Sequence, residues 1–172
     1  MISFSEAQIL GWVTPVLWPF LRVLALFQVM PVMGQRTVPV RVRVGLSFLI
    51  AFSAMGCSPE VKPVPLDSAL AMMLVVQQVL IGVTLGFAVR LVFAAVELAG
   101  EIAGLQMGMN FAGFFDPVSA SQATAPSRFF GTLIAFLFVV INGHLSVIEA
   151  VMQSLVVFPV GPEPFAFLKA MA

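Results

Sequence analysis

Charged residues are scarce in this sequence. Asp, Glu, Lys and Arg together make up 9% of the 172 residues, whereas 60% are hydrophobic and the mean hydropathy is +1.09. Soluble domains carry about 25% charged residues, so this composition excludes a free soluble monomer and indicates a membrane-type protein. The eight basic residues form no run and are balanced by eight acidic ones, so we expect no nucleic-acid binding.

The residues that usually carry chemistry are also few. Cys57 is the single cysteine, so the chain cannot form an internal disulfide bond, and no metal-ligand partner stands at a useful spacing from it. His144 is the single histidine, which excludes a multi-histidine metal site, and its position after Asn142 and Gly143 is typical of a turn or a helix cap. The sequence has no Walker loop, HExxH motif or nucleophile elbow. We therefore predict no enzymatic activity, no cofactor and no metal.

Four apolar blocks organise the chain, with short turns or proline-containing loops between them. None alternates with period two, so a barrel is disfavoured, and the predicted fold is all-α, a single helical unit over residues 1–172. Asp67 or Ser68 is expected to cap the third block, and Pro126 suits the first turn of the fourth. The blocks cover residues 9–33, 38–55, 66–109 and 129–160.

The third block is too long for a simple membrane anchor. Residues 66–116 contain no proline, and a helix over residues 67–108 would be about 63 Å long. The hydrocarbon core of a bilayer is only about 30 Å thick. The block also carries Arg90, Glu97 and Glu101 in its middle. These features indicate a helix that belongs to a protein-lined assembly in or beside a membrane.

Small residues and charges share one face of this predicted helix. At 100° per residue, they fall within a stripe about 100° wide. Spacings of four residues between glycines allow another helix to approach backbone to backbone, so we predict a helix-contact stripe. The alternative is that the glycines are merely tolerated in a lipid-facing helix. The stripe consists of Gly82, Gly86, Gly100, Gly104 and Gly108 with Arg90, Glu97 and Glu101.

The three charges predict a buried charge network. An ionised group in an apolar membrane segment costs about 2.5–3.5 kcal/mol on insertion scales, and Arg90 cannot satisfy both Glu97 and Glu101 along one helix. Another cation must then come from Arg22, from Arg128 or from another subunit. The alternative is that the charges lie in solvent beyond the membrane, which the length of the helix allows.

A segment rich in Gly, Met and Phe follows the third block. Its large soft side chains can repack, its glycines supply flexible backbone, and Asp116-Pro117 enforces a turn. The segment either packs as a loop on its own helices or acts as a movable hydrophobic stopper inside a pore. The predicted plug residues are Gln106, Met107, Gly108, Met109, Asn110, Phe111, Gly113, Phe114, Phe115, Asp116 and Pro117.

Several motifs occur in a characteristic order along the chain. They are Trp18-Pro-Phe-Leu-Arg22, Arg41-Val-Arg-Val-Gly45, Gln77-Gln-Val-Leu-Ile-Gly-Val-Thr-Leu-Gly86, Val92-Phe-Ala-Ala-Val-Glu-Leu-Ala-Gly-Glu101, Gly104-Leu-Gln-Met-Gly108, Phe114-Phe-Asp-Pro117 and Asn142-Gly-His144. Each motif alone is weak, but together they are specific. The chain resembles the FliR family, the export-gate components of flagellar type III secretion and of the related virulence injectisomes.

The resemblance implies a structural and gating subunit that assembles with FliP-type and FliQ-type proteins. Their cone-shaped helical gate, in the bacterial inner membrane and flagellar basal body, would stand largely on the periplasmic side and pass unfolded polypeptides. The family's plug loop corresponds to residues 106–122. Family members contain a FliP-like part and then a FliQ-like part, and they extend beyond the position of Ala172. We therefore expect the FliQ-like part to be missing or incomplete here, together with contacts to the FlhB-type switch protein that depend on it.

A second function class uses the same charged residues. In a small-solute or ion transporter, Arg90, Glu97 and Glu101 would form a translocation site near the bilayer midplane. Such a protein should contain an internal repeat with two interrupted helices in matching positions, and we find none. An intramembrane enzyme, the third class, lacks the residues it would need.

Overall fold

The computed structural model describes residues 6–35, 37–56, 68–108 and 124–161. These residues form five helices and, within the described ranges, no strand, so the predicted all-α fold class is confirmed. The helices are α1 (Glu6–Val29), α2 (Val40–Ala54), α3 (Ala69–Gln106), α4 (Ala125–Val140) and α5 (Gly143–Val157). The cone-shaped assembly stays a prediction.

Helix α1 runs without a break through two prolines. Pro15 and Pro19 both lie inside the helix, although a proline removes a backbone hydrogen bond and usually kinks or ends a helix. The helix nevertheless continues through both prolines, and this part of it is tightly packed. Trp18, Pro19 and Leu26 are almost fully buried. The segment Leu10–Val29 is long and apolar enough to cross a membrane.

Helix α2 packs against α1. One of its faces is buried and the other is exposed. It begins directly after Pro39, and its first buried residue is Arg43, whose guanidinium donates to Gln28 Oε1 at 2.8 Å and to the Val38 carbonyl at 3.2 Å. Buried residues recur every three or four positions, as one helix face requires. They are Arg43, Ser47, Ile50, Ala51 and Ala54.

Helix α3 is the longest element. Its 38 residues correspond to about 57 Å, and it is the second helix that could cross a membrane. Ser68 caps its first turn, because the Ser68 hydroxyl accepts a hydrogen bond from the Ala71 backbone N–H at 3.1 Å. This confirms one of the two predicted caps, while Asp67 lies outside the described residues. Near this end, Ala71 and Leu74 pack with Trp18 in a buried cluster.

The fourth apolar block divides into two helices. Pro126 lies in the first turn of α4, as predicted, and Thr124 is the N-cap, with a hydroxyl that accepts from the Ser127 backbone N–H. Asn142 then adopts a positive φ of 58°, a conformation that ends regular helix and that asparagine tolerates better than most residues. α4 ends before this break and α5 begins after it. His144 follows in the first turn of α5, so it lies next to the turn, as predicted.

The chain folds into two compact units. The first comprises residues 1–87 and 146–172, and the second comprises residues 88–145. α3 contributes residues to both. That the two act as a single export-gate unit stays a prediction.

Candidate functional site

In the first unit, two glycines of α3 lie against the backbone of α1. Both are buried. A Cβ atom on Gly82 would collide with the carbonyl oxygen of Arg22 and would lie 2.9 Å from the Cβ of Ala25. A Cβ atom on Gly86 would lie 2.8 Å from the carbonyl oxygen of Leu26. Real Cβ atoms essentially never come this close to another heavy atom, so α1 and α3 can approach each other here only because both positions are glycine.

In the second unit, two further glycines of α3 lie against α4 and its cap. Gly100 and Gly104 are buried. A Cβ atom on Gly100 would lie 3.0 Å from the carbonyl oxygen of Pro126, and one on Gly104 would lie 3.2 Å from Thr124 Oγ1. The predicted stripe therefore contacts helices of its own chain along two segments. Its importance for assembly with other subunits stays a prediction.

Gly108 ends the stripe with a change of backbone conformation. Its φ is 73°, and its N–H donates to the Leu105 carbonyl at 3.0 Å. A glycine in the left-handed region just after the last helical turn is a common way to end a helix. Gly108 thus lies where α3 stops and the predicted plug segment continues.

The three charged residues of α3 differ in exposure. Arg90 and Glu97 are exposed in this chain, and Glu101 is half-buried. The Glu97 side chain lies over α4, because a Cβ atom on Gly131 would be 3.0 Å from Glu97 Oε1. The Ser127 hydroxyl also donates to the Glu97 backbone carbonyl at 3.1 Å. Burial of these charges within a larger assembly stays a prediction.

Arg22 has other partners than the glutamates of α3. It is fully buried. Its Nε donates to Gln78 Oε1 at 2.8 Å, its Nη1 donates to Ser154 Oγ at 2.9 Å, and its Nη2 donates to the Phe158 carbonyl oxygen at 2.9 Å. The suggestion that Arg22 supplies the second cation for Glu97 and Glu101 is therefore wrong in this structure. Arg128, the other candidate, is exposed in the first turn of α4.

The amino-acid sequence alone did not lead us to predict this hydrogen-bonded group. The signal that could have found it is a single arginine in the apolar, proline-containing α1, together with the adjacent Gln77 and Gln78 in the apolar α3. Gln78 Nε2 donates to Gln77 Oε1 at 3.2 Å, and the Ser154 hydroxyl donates to the Val151 carbonyl at 2.6 Å. Two of the three acceptors, Gln78 and Ser154, are thus each held by a further hydrogen bond. We call Arg22, Gln78, Ser154 and Phe158 the Arg22 cluster.

Only the beginning of the predicted plug segment is described. Gln106 is the last residue of α3, Met107 is 70% exposed, and Gly108 is half-buried. The remaining predicted plug residues lie outside the described ranges: Met109, Asn110, Phe111, Gly113, Phe114, Phe115, Asp116 and Pro117.

No group of metal-ligating residues occurs within the described ranges.

Comparison with known proteins decides the family. The model of the bacterial export proteins, family 1, matches residues 13–172. The chain belongs to this family. Among the curated relatives, the flagellar biosynthetic protein FliR of Escherichia coli K12 is 43% identical over 164 residues, which cover 95% of this chain and 62% of the relative. The FliR proteins of Pectobacterium carotovorum subsp. carotovorum and of Buchnera aphidicola from Acyrthosiphon pisum are 38% and 37% identical, over 95% and 93% of this chain.

The match to the bacterial export proteins confirms the resemblance that the sequence motifs indicated. It begins at Val13, in the first third of α1, and continues through the other four helices, so the described fold lies within the matched region apart from its first residues. The chain spans about 62% of the length of these three curated relatives.

Proposed function

We propose that this chain forms part of a structural and gating subunit of the flagellar type III protein-export channel. The observation that carries the proposal is its 43% identity to a flagellar biosynthetic protein over 95% of its length. Two apolar helices that could cross a membrane support a location in the bacterial inner membrane. The subunit has no catalytic task in this proposal. It supplies helices and a seal to a channel whose other parts come from FliP-type and FliQ-type proteins.

Exposed apolar surface supports a place in a larger assembly. Large hydrophobic side chains are exposed along all of α3, from Met72 and Val76 through Phe87 and Leu91 to Ile102. Contiguous apolar surface of this extent marks contact with lipid or with other proteins. Because α3 is about twice as long as the apolar thickness of a bilayer, lipid can cover only part of it. We propose that partner helices cover the rest, with the assembled gate largely on the periplasmic side.

The seal of the channel is proposed to be the segment of residues 106–122. Support comes from its Met, Phe and Gly composition and from the resemblance to the FliR family. The position of Gly108 at the end of α3 is compatible with a segment that starts from a fixed helix end. Hydrophobic constrictions can close a pore by excluding water, and such a segment would move aside when unfolded polypeptide passes.

Exchange of the matching region tests the proposed function. The 164 residues of the Escherichia coli relative that align with this chain are replaced by this chain, and swimming and the export of flagellar subunits are measured in cells that lack the native protein. We expect export to be restored at least in part. A chimera that is present in the membrane with FliP-type and FliQ-type partners but exports nothing contradicts a function in the channel.

The charges of α3 provide a prediction about assembly. If Glu101 and Glu97 are paired when partner helices cover them, their replacement by glutamine leaves partner cations unpaired, a loss that commonly costs about 3–5 kcal/mol. We expect Glu101→Gln to lower the yield of purified complex and Glu97→Gln to do the same. Glu149→Gln is the matched control, because Glu149 is exposed on α5 and its carboxylate accepts a hydrogen bond from Gln153 in the next turn of the same helix. Normal complex yield from both α3 variants would show that these carboxylates face water in the assembly.

A further inference from the structure

The Arg22 cluster places a fully buried guanidinium among neutral acceptors. Gln78 contributes a side-chain amide oxygen, Ser154 a hydroxyl and Phe158 a backbone carbonyl. Arg22 itself lies in the apolar segment Leu10–Val29, which could cross a membrane. An ionised group in such surroundings is strongly unfavourable unless hydrogen bonds replace the water it has lost. The three acceptors supply that replacement.

The acceptors are distant from Arg22 in the sequence. Gln78 follows it by 56 residues, Ser154 by 132 and Phe158 by 136. Since the chain is synthesised from its N-terminus, α1 is complete long before any acceptor exists, and two of the three come from α5 and the residue after it. The side chains one turn away on the same face of α1, Trp18 and Leu26, cannot substitute for them. Indole and alkyl side chains offer no acceptor to a guanidinium.

We propose that Arg22 makes the packing of α1 conditional on the later helices α3 and α5. Until Gln78, Ser154 and Phe158 are in place, the guanidinium of Arg22 lacks its acceptors, so the packed position of α1 is unfavourable. A chain in this state is incompletely folded. Once they are in place, the same charge fixes the register of three helices, because all three bonds form only at one alignment. This folding checkpoint is independent of the proposed export function, because it concerns the folding of the chain itself.

The proposal predicts an unusual order of mutational effects. Gln78→Leu leaves a buried charge without one of its acceptors, whereas Arg22→Met removes the charge and leaves only neutral acceptors. Gln78 and Ser154 retain their bonds to Gln77 and to Val151, and a neutral group left unpaired costs less than a charged one. If Arg22 merely filled space, loss of its whole guanidinium would be the more harmful change. If Arg22 acts as the proposed checkpoint, Gln78→Leu is instead the more harmful of the two changes.

The half-life of the full-length chain in the membrane, followed by pulse–chase labelling, tests this. We expect Gln78→Leu to shorten it at least about tenfold, the factor at the lower end of the cost of losing one hydrogen bond to a charged group. Arg22→Met should shorten it less, and the double variant should match Arg22→Met, so that removing the charge rescues the loss of its acceptor. Arg22→Met at least as harmful as Gln78→Leu, or a double variant worse than both, overturns the proposal.

A serine pair supplies an independent control. Ser154 and Ser47 are both buried and both donate to a carbonyl of their own helix, but only Ser154 accepts from Arg22. We expect Ser154→Ala to shorten the half-life and Ser47→Ala to leave it nearly unchanged, and we expect Arg22→Met to remove the difference between them. Equal effects of the two alanine variants in the presence of Arg22 also overturn the proposal.

Discussion

Gly82→Ala should prevent the normal packing of α1 on α3. The added methyl group would collide with the backbone carbonyl of Arg22 and with the side chain of Ala25. Because the first obstacle is backbone, no change of rotamer relieves it, and α1 must shift. Overpacking of this kind typically costs about 1–3 kcal/mol and occasionally more, and here the shift also pulls Arg22 away from its acceptors. We expect a large loss of folded protein, measured as the fraction of the full-length chain that resists proteolysis in membranes.

Two other glycines calibrate this result. Gly45 in α2 has no heavy atom within 4 Å of an added Cβ, so Gly45→Ala should be neutral or slightly stabilising, because alanine favours helix by about 1 kcal/mol. Gly104 is intermediate, since the nearest atom to an added Cβ is the side-chain oxygen of Thr124 at 3.2 Å, and the larger change Gly104→Leu should weaken the packing of α3 on α4. If Gly82→Ala is as stable as Gly45→Ala, the close approach of α1 to α3 is wrong.

Deletion of residues 110–115 should leave the complex assembled but permeable to small solutes. An idle export channel must hold back ions and yet admit unfolded polypeptide when active. In the proposed channel, apolar side chains in the lumen would exclude water, and the glycines at positions 108 and 113 would let the segment swing aside. The deletion removes Phe111, Phe114 and Phe115, which are predicted to form that seal. Membrane conductance, or dye uptake, in cells that produce the deleted form with its partners measures the leak.

A variant that keeps the length of the segment distinguishes the effect of its apolar side chains from the effect of its length. Replacing residues 110–115 with alternating glycine and serine keeps the span of the segment but removes its apolar side chains. We expect it to leak like the deletion. An assembled complex that stays tight in both forms would show that this segment packs on its own helices and that the seal lies in another subunit.

Local features of the fold could be read from the sequence. The capping serine at position 68 and the proline at position 126 each act within one helical turn, so their effects depend on neighbouring residues alone. The great length of α3 was also accessible, because it follows from an apolar run without proline. The break at Asn142 carried a signal as well, since an Asn-Gly dipeptide commonly marks a turn, although the apolar block around it continues without interruption.

Long-range partners could not be read in the same way. The periodicity of α3 places its glycines on one face, but it does not say which helix approaches that face. The structure assigns Gly82 to α1 and Gly100 to α4, both within the chain. Arg22 shows the same limit, because its acceptors lie 56 to 136 residues away and no local pattern links them. Pairing of this kind depends on how helices meet in three dimensions.

Affinity purification of the protein from detergent-solubilised membranes that also hold FliP-type and FliQ-type proteins tests the central claim most directly. The account predicts a stable hetero-oligomer that contains both partners, and it predicts that Gly45→Ala retains them. Recovery of the protein alone, with neither partner bound at any detergent concentration that preserves its helices, would contradict a place in the export channel and would favour the separate transporter subunit.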